Sequence, residues 1–144
     1  MEDFLKLENQ LCFAIYETAS EFNKLYTKAL HSFGITYPQY LVLLALWEKN
    51  GVTVKELGEK LNLGTGTLTP MLKRMESSGW VKKERSTTDE RNVFITLEIK
   101  AIEEKRAITE QIAHSIQSCN IEINEYEQLM QQLHALQQKL RVQK

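Results

Sequence analysis

The sequence predicts a mainly α-helical chain interrupted once by a small β-hairpin, and three observations carry that reading. Glycine and proline are scarce, six and two in 144 residues, which favours helix over most of the chain. Apolar residues recur at three- and four-residue steps in the flanking thirds. The period changes only where "WVKKER" and "VFITL" flank the polar turn "STTDE", the pattern of two strands and their connection. One domain with a real core is expected at this length.

A first helix is expected over about residues 5–32, with Leu11, Ile15, Phe22, Leu25 and Ala29 on its apolar stripe and Gly34 ending it. Thr36 is placed to cap a second helix, with Pro38 in the first turn, where its missing N–H costs nothing. That helix, "YPQYLVLLALWEKN", is apolar on nearly every side and belongs at the centre of the core, with Gly51 closing it. Thr53 followed three residues later by Glu56 is a capping box that opens a short third helix to about Asn62. A turn with Gly64 leads to a fourth helix ending at Gly79. Pro70 is comfortable only in a first turn, so regular helix is expected to begin near Gly66 or Thr67, or to be irregular before it.

Helix, tight glycine-containing turn, helix is the helix-turn-helix pattern, and a hairpin directly after it makes a winged helix. The second of the two helices carries Thr65, Thr67, Thr69, Lys73 and Arg74, all suited to base edges or phosphates. The hairpin carries Arg85, Asp89 and Arg91 near its tip, where a wing meets phosphates or the minor groove. The net charge of −1 does not mark a nucleic-acid binder, but the charge is unevenly spread. Residues 51–100 hold nine basic against seven acidic side chains, while both flanking segments are net acidic. The excess gathers at Lys73, Arg74, Lys82, Lys83, Arg85 and Arg91. A solvated face of mixed charge looks similar on its own; taken with the ordered motif, it points to double-stranded DNA.

Residues 99–144 return to helix. Ile108, Ile112, Ile116, Cys119 and Ile123 form one stripe, and Tyr126, Leu129, Leu133, Leu136 and Leu140 form a heptad seam. With the first helix already apolar on one face, this is more than one chain's core needs. A homodimer is therefore expected, joined through segments 1–34 and 99–144 around a winged unit at 35–98. Its two-fold symmetry would match a palindromic operator.

Several classes are disfavoured. There is no apolar run of 18 residues to span a membrane. The start "MEDFLKLENQ" is acidic where a signal peptide is basic. Two cysteines 107 positions apart make neither a disulfide framework nor a zinc spacing, so the cytoplasm is expected. His31, His114 and His134 are scattered, and no phosphate loop or nucleophile elbow occurs, so neither metal, cofactor nor enzymatic activity is expected.

The stretches "LENQLCFAIY", "TYPQYLVLLALWE", "GTLTPMLKRME" and "DERNVFITL" resemble the MarR family of bacterial winged-helix repressors, and its organic-hydroperoxide-sensing (OhrR) branch in particular. They span roughly residues 7–97, and the cysteine-bearing stretch is the most specific. Two departures stand out. Gly64 replaces an acidic residue that usually precedes the recognition helix, removing a cap. "LEIKA" lacks the glycine that usually follows the wing, which implies a more continuous join to the fifth helix.

The resemblance implies that Cys12 is a reactive thiol, hydrogen-bonded by tyrosines of both subunits at Tyr16, Tyr26 and Tyr37. It also implies that Cys119 is a resolving cysteine in an intersubunit disulfide. Helix geometry agrees with the tyrosines: Cys12 and Tyr16, four apart, share a face. Tyr26 lies roughly 21 Å further along the axis, so it reaches only the partner's Cys12 in an antiparallel helix pair. Phenol donors stabilise a thiolate, the form that an organic hydroperoxide oxidises to sulfenic acid. A repressor released by oxidation of Cys12 is the function the resemblance implies. The general MarR mode, release by a small aromatic ligand in the cleft beneath the dimer interface, is the alternative. A thiol peroxidase and a helical interaction protein without redox chemistry are the remaining readings, and a small buried hydrophobe is the ordinary role of a helical cysteine.

Overall fold

The computed structural model describes residues 2–86, 88 and 92–142, so Asp89 and Arg91 lie outside the described residues. Six α-helices and three short strands follow in the order α1 (Leu11–Leu30), α2 (Tyr37–Glu48), β1 (Val52–Thr53), α3 (Val54–Leu61), α4 (Thr65–Ser77), β2 (Val81–Arg85), β3 (Val93–Leu97), α5 (Ile99–Gln117) and α6 (Ile123–Val142). The strands form one antiparallel sheet in the order β1-β3-β2, with Val81 opposite Leu97 and Val52 opposite Ile95. This is a winged helix-turn-helix, as the sequence pattern requires. The third strand was not anticipated: two residues just ahead of α3 are too few to show a period of two.

The first helix is shorter than its apolar stripe implied. Residues 2–9 form two 3-10 turns instead, held by the Asn9 side-chain amide donating to the Asp3 carbonyl at 2.7 Å and by Gln10 Nε2 donating to the Phe4 carbonyl. These side-chain amides give the backbone an alternative to regular helix. At the other end Gly34 takes a left-handed φ of 71°, and the Thr36 and Gln39 side chains close a reciprocal capping box at the start of α2. Such a cap stabilises a helix by about 1 kcal/mol. The expected apolar character of α2 makes it the core's centre, with Tyr40, Val42, Leu43, Ala45 and Leu46 all buried.

Thr53 caps α3 by accepting from the Glu56 N–H at 3.1 Å. The turn to α4 is tight because Gly58 lets the chain fold back: a Cβ there would lie 2.8 Å from the Leu63 carbonyl oxygen. Asn62 takes the left-handed conformation that ends α3. Helix α4 begins at Thr65, ahead of the Gly66 or Thr67 that Pro70 implied. Pro70 therefore sits in the second turn, where it removes the donor to the Gly66 carbonyl. Both residues are exposed, so that carbonyl faces solvent, while Leu68, Met71, Leu72 and Met75 bury the opposite face.

Trp80 is 1% exposed and joins the core beside Val81 and Ile95. Helix α5 starts one residue after β3, in line with the missing glycine in "LEIKA". Its expected stripe is buried at Ile108 and Ile112 and half-buried at Ile116, but the helix stops at Gln117. Cys119 lies in the following turn, where Asn120 has a φ of 60°, and Ile123 opens α6 fully exposed to solvent at 70%. None of the described residues of α6 is buried. Among the described residues no helix is long and apolar enough to cross a membrane.

Candidate functional site

The first candidate surface is the helix-turn-helix and its wing. Buried Leu68, Met71, Leu72 and Met75 fix one face of α4 to the core, which turns Thr65, Thr67, Thr69, Lys73 and Arg74 outward, all exposed. The N-terminal cap of α4 is Gly64, which supplies no side-chain acceptor, as its residue type dictates. Arg85 ends β2, at the base of the hairpin tip, and is exposed. The structure thus leaves the five α4 residues and Arg85 exposed on the winged unit. It leaves the expected roles of Asp89 and Arg91 outside the described residues.

Not every cation of the basic excess is available for phosphate. Lys82 forms an ion pair with Glu84 at 2.9 Å, and the hydrogen bond to Glu84 raises its ammonium pKa. The wing is also tied to α4, because the Glu76 carboxylate accepts the Lys83 backbone N–H, on the free edge of β2, at 3.3 Å. No sequence signal marked Glu76 for that contact.

The second candidate surface runs along α1. Cys12 is its second residue and is exposed, with a free thiol. Tyr16 is 71% exposed, its ring stacked on Phe13 at 6.3 Å. Exposure then falls along the helix until Ala29 and Leu30 are buried. Tyr26, half-buried, sits toward that end of the helix within an aromatic cluster. Its ring meets Tyr37 edge-on at 5.2 Å, Tyr40 at 5.8 Å and Phe22 at 6.3 Å. Burial, followed by the neighbouring phenols of Tyr126, Tyr40 and Tyr37, pushes the Tyr26 phenol up to about 12. Burial likewise raises Tyr40. Both phenols therefore stay protonated, and able to donate, through the physiological range.

Neither Tyr40 nor Tyr126 was expected beside Tyr26 from the sequence. Tyr40 follows Tyr37 by three residues on the same helix face, which was a usable signal. Tyr126 opens the heptad seam, and only the fold brings it near α1.

Cys119 is free and exposed, its thiol 3.5 Å from the Ser115 carbonyl. It shares an open cleft with Thr18, Phe22, Leu25 and Lys28 of α1. The structure therefore groups Cys119 with α1 residues from Thr18 to Lys28, and groups Tyr26 with Tyr37, and it places Cys12 in neither set. At 1.5 Å per residue, Leu25 lies roughly 20 Å along α1 from Cys12, whereas a disulfide requires Cα atoms within about 7 Å. Among the described residues no cluster of three His, Cys, Asp or Glu side chains is arranged to hold a metal.

Comparison with known proteins bears on both surfaces. The family described as "Transcriptional regulator SarA/Rot" matches residues 24–112. The organic hydroperoxide resistance transcriptional regulator of Bacillus subtilis (strain 168) is 56% identical over 95 residues. That match covers 66% of this chain and 65% of the relative, so the shared stretch is less than two thirds of the relative's length. Among solved structures, reduced AbfR bound to DNA has a TM-score of 0.87 at 44% identity, covering 98% of this chain and 97% of that one. AbfR comes from Staphylococcus epidermidis. Its disulfide-formed structure has a TM-score of only 0.68 at 45% identity, covering 94% and 95%. A MarR-like transcription regulator from Bacillus cereus has a TM-score of 0.77 at 25% identity, covering 90% and 94%. The MarR-type winged helix and the hydroperoxide-regulator likeness expected from the sequence are both borne out.

Proposed function

The chain belongs to the SarA/Rot family of transcriptional regulators, and from that premise we propose that it is a dimeric DNA-binding repressor released by oxidation of Cys12. The observation that carries this reading is the pair of AbfR likenesses. At nearly equal identity, the chain matches the reduced, DNA-bound form far better than the disulfide form, 0.87 against 0.68. That difference supports a reading in which the reduced chain takes the DNA-binding shape and a disulfide changes it.

In the reduced dimer each α4 enters a major groove through Thr65, Thr67 and Thr69, with Lys73, Arg74, Arg85 and the wing residue Arg91 beside phosphates and Asp89 turned to base edges in the groove, away from phosphates. Segments 1–34 and 99–144 hold the two chains together. The exposed apolar side chains of α1 and α6, among them Leu11, Ile15, Leu129 and Leu133, are the surface that such a partner covers. An antiparallel pairing of α1 with its mate carries Cys12 of one chain to the level of Tyr26 and Cys119 of the other. Phenol donors there stabilise the thiolate.

The thiolate attacks the distal oxygen of an organic hydroperoxide, breaking the O–O bond; the sulfur is oxidised to sulfenic acid and the alcohol leaves after taking a proton. The Cys119 thiol of the second chain then displaces the sulfenic oxygen as water, forming the disulfide. Within one chain Cys119 lies against α1 residues from Thr18 to Lys28 and not against Cys12, which supports pairing between chains. A few kcal/mol of differential affinity between the two states suffices to move the operator from bound to free. This chemistry is stoichiometric signalling, not turnover, and a cytoplasmic regulator is its natural setting.

The test is operator binding of Cys12→Ser before and after an organic hydroperoxide. Wild type releases DNA and the variant stays bound. Release by the variant overturns the sensing role, and release of wild type only by a small aromatic ligand favours the alternative mode.

A further inference from the structure

We propose that Lys100 is the positioning residue through which α5 moves the recognition helix, so that the state of the thiol at one end of α5 is felt at the DNA-reading head at the other. The inference rests on the redox reading above. Helix α5 runs from the wing joint at Ile99 to Gln117, two residues before Cys119. At 1.5 Å per residue it is a rod of about 28 Å. A rod transmits movement only if its far end is fastened to what must move.

The fastening is visible. Lys100 Nζ donates to the Ser78 carbonyl at 3.1 Å and lies 4.5 Å from the centre of the Trp80 ring. Ser78 is the C-cap of α4, and Trp80, two residues on, is buried. Two further bonds stand beside it: the Glu98 N–H donates to the Trp80 carbonyl at 2.9 Å, and Trp47 Nε1 donates to the Ala101 carbonyl at 3.1 Å.

Helix electrostatics make Lys100 more than one contact among several. It is the second residue of α5, at the positive end of that helix's dipole, where a cation is disfavoured. It is at the same time at the negative end of α4, where a cation is favoured, and over an aromatic face, which attracts it. The charge is therefore well placed only while α4 and α5 are docked. Separating them returns Lys100 to the wrong end of its own helix. That differential makes the two helices move as one body, which a neutral residue of the same length would not do.

The experiment compares Lys100→Met, Lys100→Arg and wild type for operator Kd, reduced and after hydroperoxide, with disulfide formation followed on non-reducing gels. Lys100 is exposed, so the variants keep the core intact. In Lys100→Met the disulfide forms as in wild type and reduced affinity stays within about twofold. Its oxidised form retains DNA, so the oxidised-to-reduced Kd ratio falls by about fivefold, within the usual range of coupling between sites. Lys100→Arg, which keeps the cation and the donor, restores the ratio. An unchanged ratio in Lys100→Met overturns the proposal while leaving the redox reading intact. A wild-type ratio near one overturns both.

Discussion

The winged unit and α6 are built from similarly apolar sequence, yet they end in opposite states. Between residues 35 and 98, Leu43, Leu46, Leu57, Leu68, Leu72, Met75, Trp80 and Ile95 are all 1% exposed or less. In α6 nothing described is buried, and Leu129 and Leu133 are 46% and 41% exposed. The core of the winged unit is thus complete within one chain, and the apolar face of α6 is left uncovered by it. The difference teaches where each half's stability comes from, and it can be broken one half at a time.

The largest effect is expected in the winged unit. Trp80→Ala should cost about 3–5 kcal/mol, the range for emptying a core aromatic site, and chemical denaturation would read it directly. The contrasting change is Leu133→Asp on the α6 seam. It places a charge where a partner must bury it, so it should weaken dimerisation about a hundredfold by analytical ultracentrifugation. The helical signal of the chain should persist. A variant that unfolds instead would mean that α6 belongs to the single-chain core.

That contrast also marks what the sequence could tell. The winged unit was legible because each element carried its own punctuation: Thr36 and Thr53 as caps, the glycine turn, and the change of period at "VFITL". The two-residue strand Val52–Thr53 was hidden, being too short to display alternation. Pro70 misled by one or two residues, since a proline facing solvent loses a single hydrogen bond and tertiary packing of Leu68 and Leu72 overrides it. In the candidate sensing zone, spacing placed Tyr16 beside Cys12 and Tyr26 far from it. Spacing could not show that Tyr40 and Tyr126 join Tyr26, because that convergence depends on how α1, α2 and α6 pack. Nor did the stripe containing Cys119 reveal that α5 ends before it.

A smaller effect sharpens the DNA side of the comparison. Lys73→Ala should weaken operator binding by about 1 kcal/mol and lower the slope of log K against log salt by roughly one, with α4 and the fold unchanged. A loss independent of salt would take Lys73 off the phosphates.

The smallest concerns Tyr26, whose phenol rises from 10.0 to about 12 on folding, chiefly by burial. A folded pKa above the unfolded one contributes stability that is full below pH 10 and is lost as pH climbs toward 12. Tyr26→Phe should therefore flatten the decline of stability with pH in that alkaline window, and an unchanged slope would mean that the phenol is solvated.

The account turns on Cys12 of one chain meeting Cys119 of another, and a mixed dimer tests that most directly. Cys12→Ser and Cys119→Ser chains are co-refolded, oxidised with an organic hydroperoxide and run on a non-reducing gel. Neither variant alone retains the pair, but a hybrid dimer holds one Cys12 facing one Cys119, so a covalent dimer should appear only in the mixture. No covalent dimer in the mixture, with wild type closing its disulfide inside a single chain, would contradict the account.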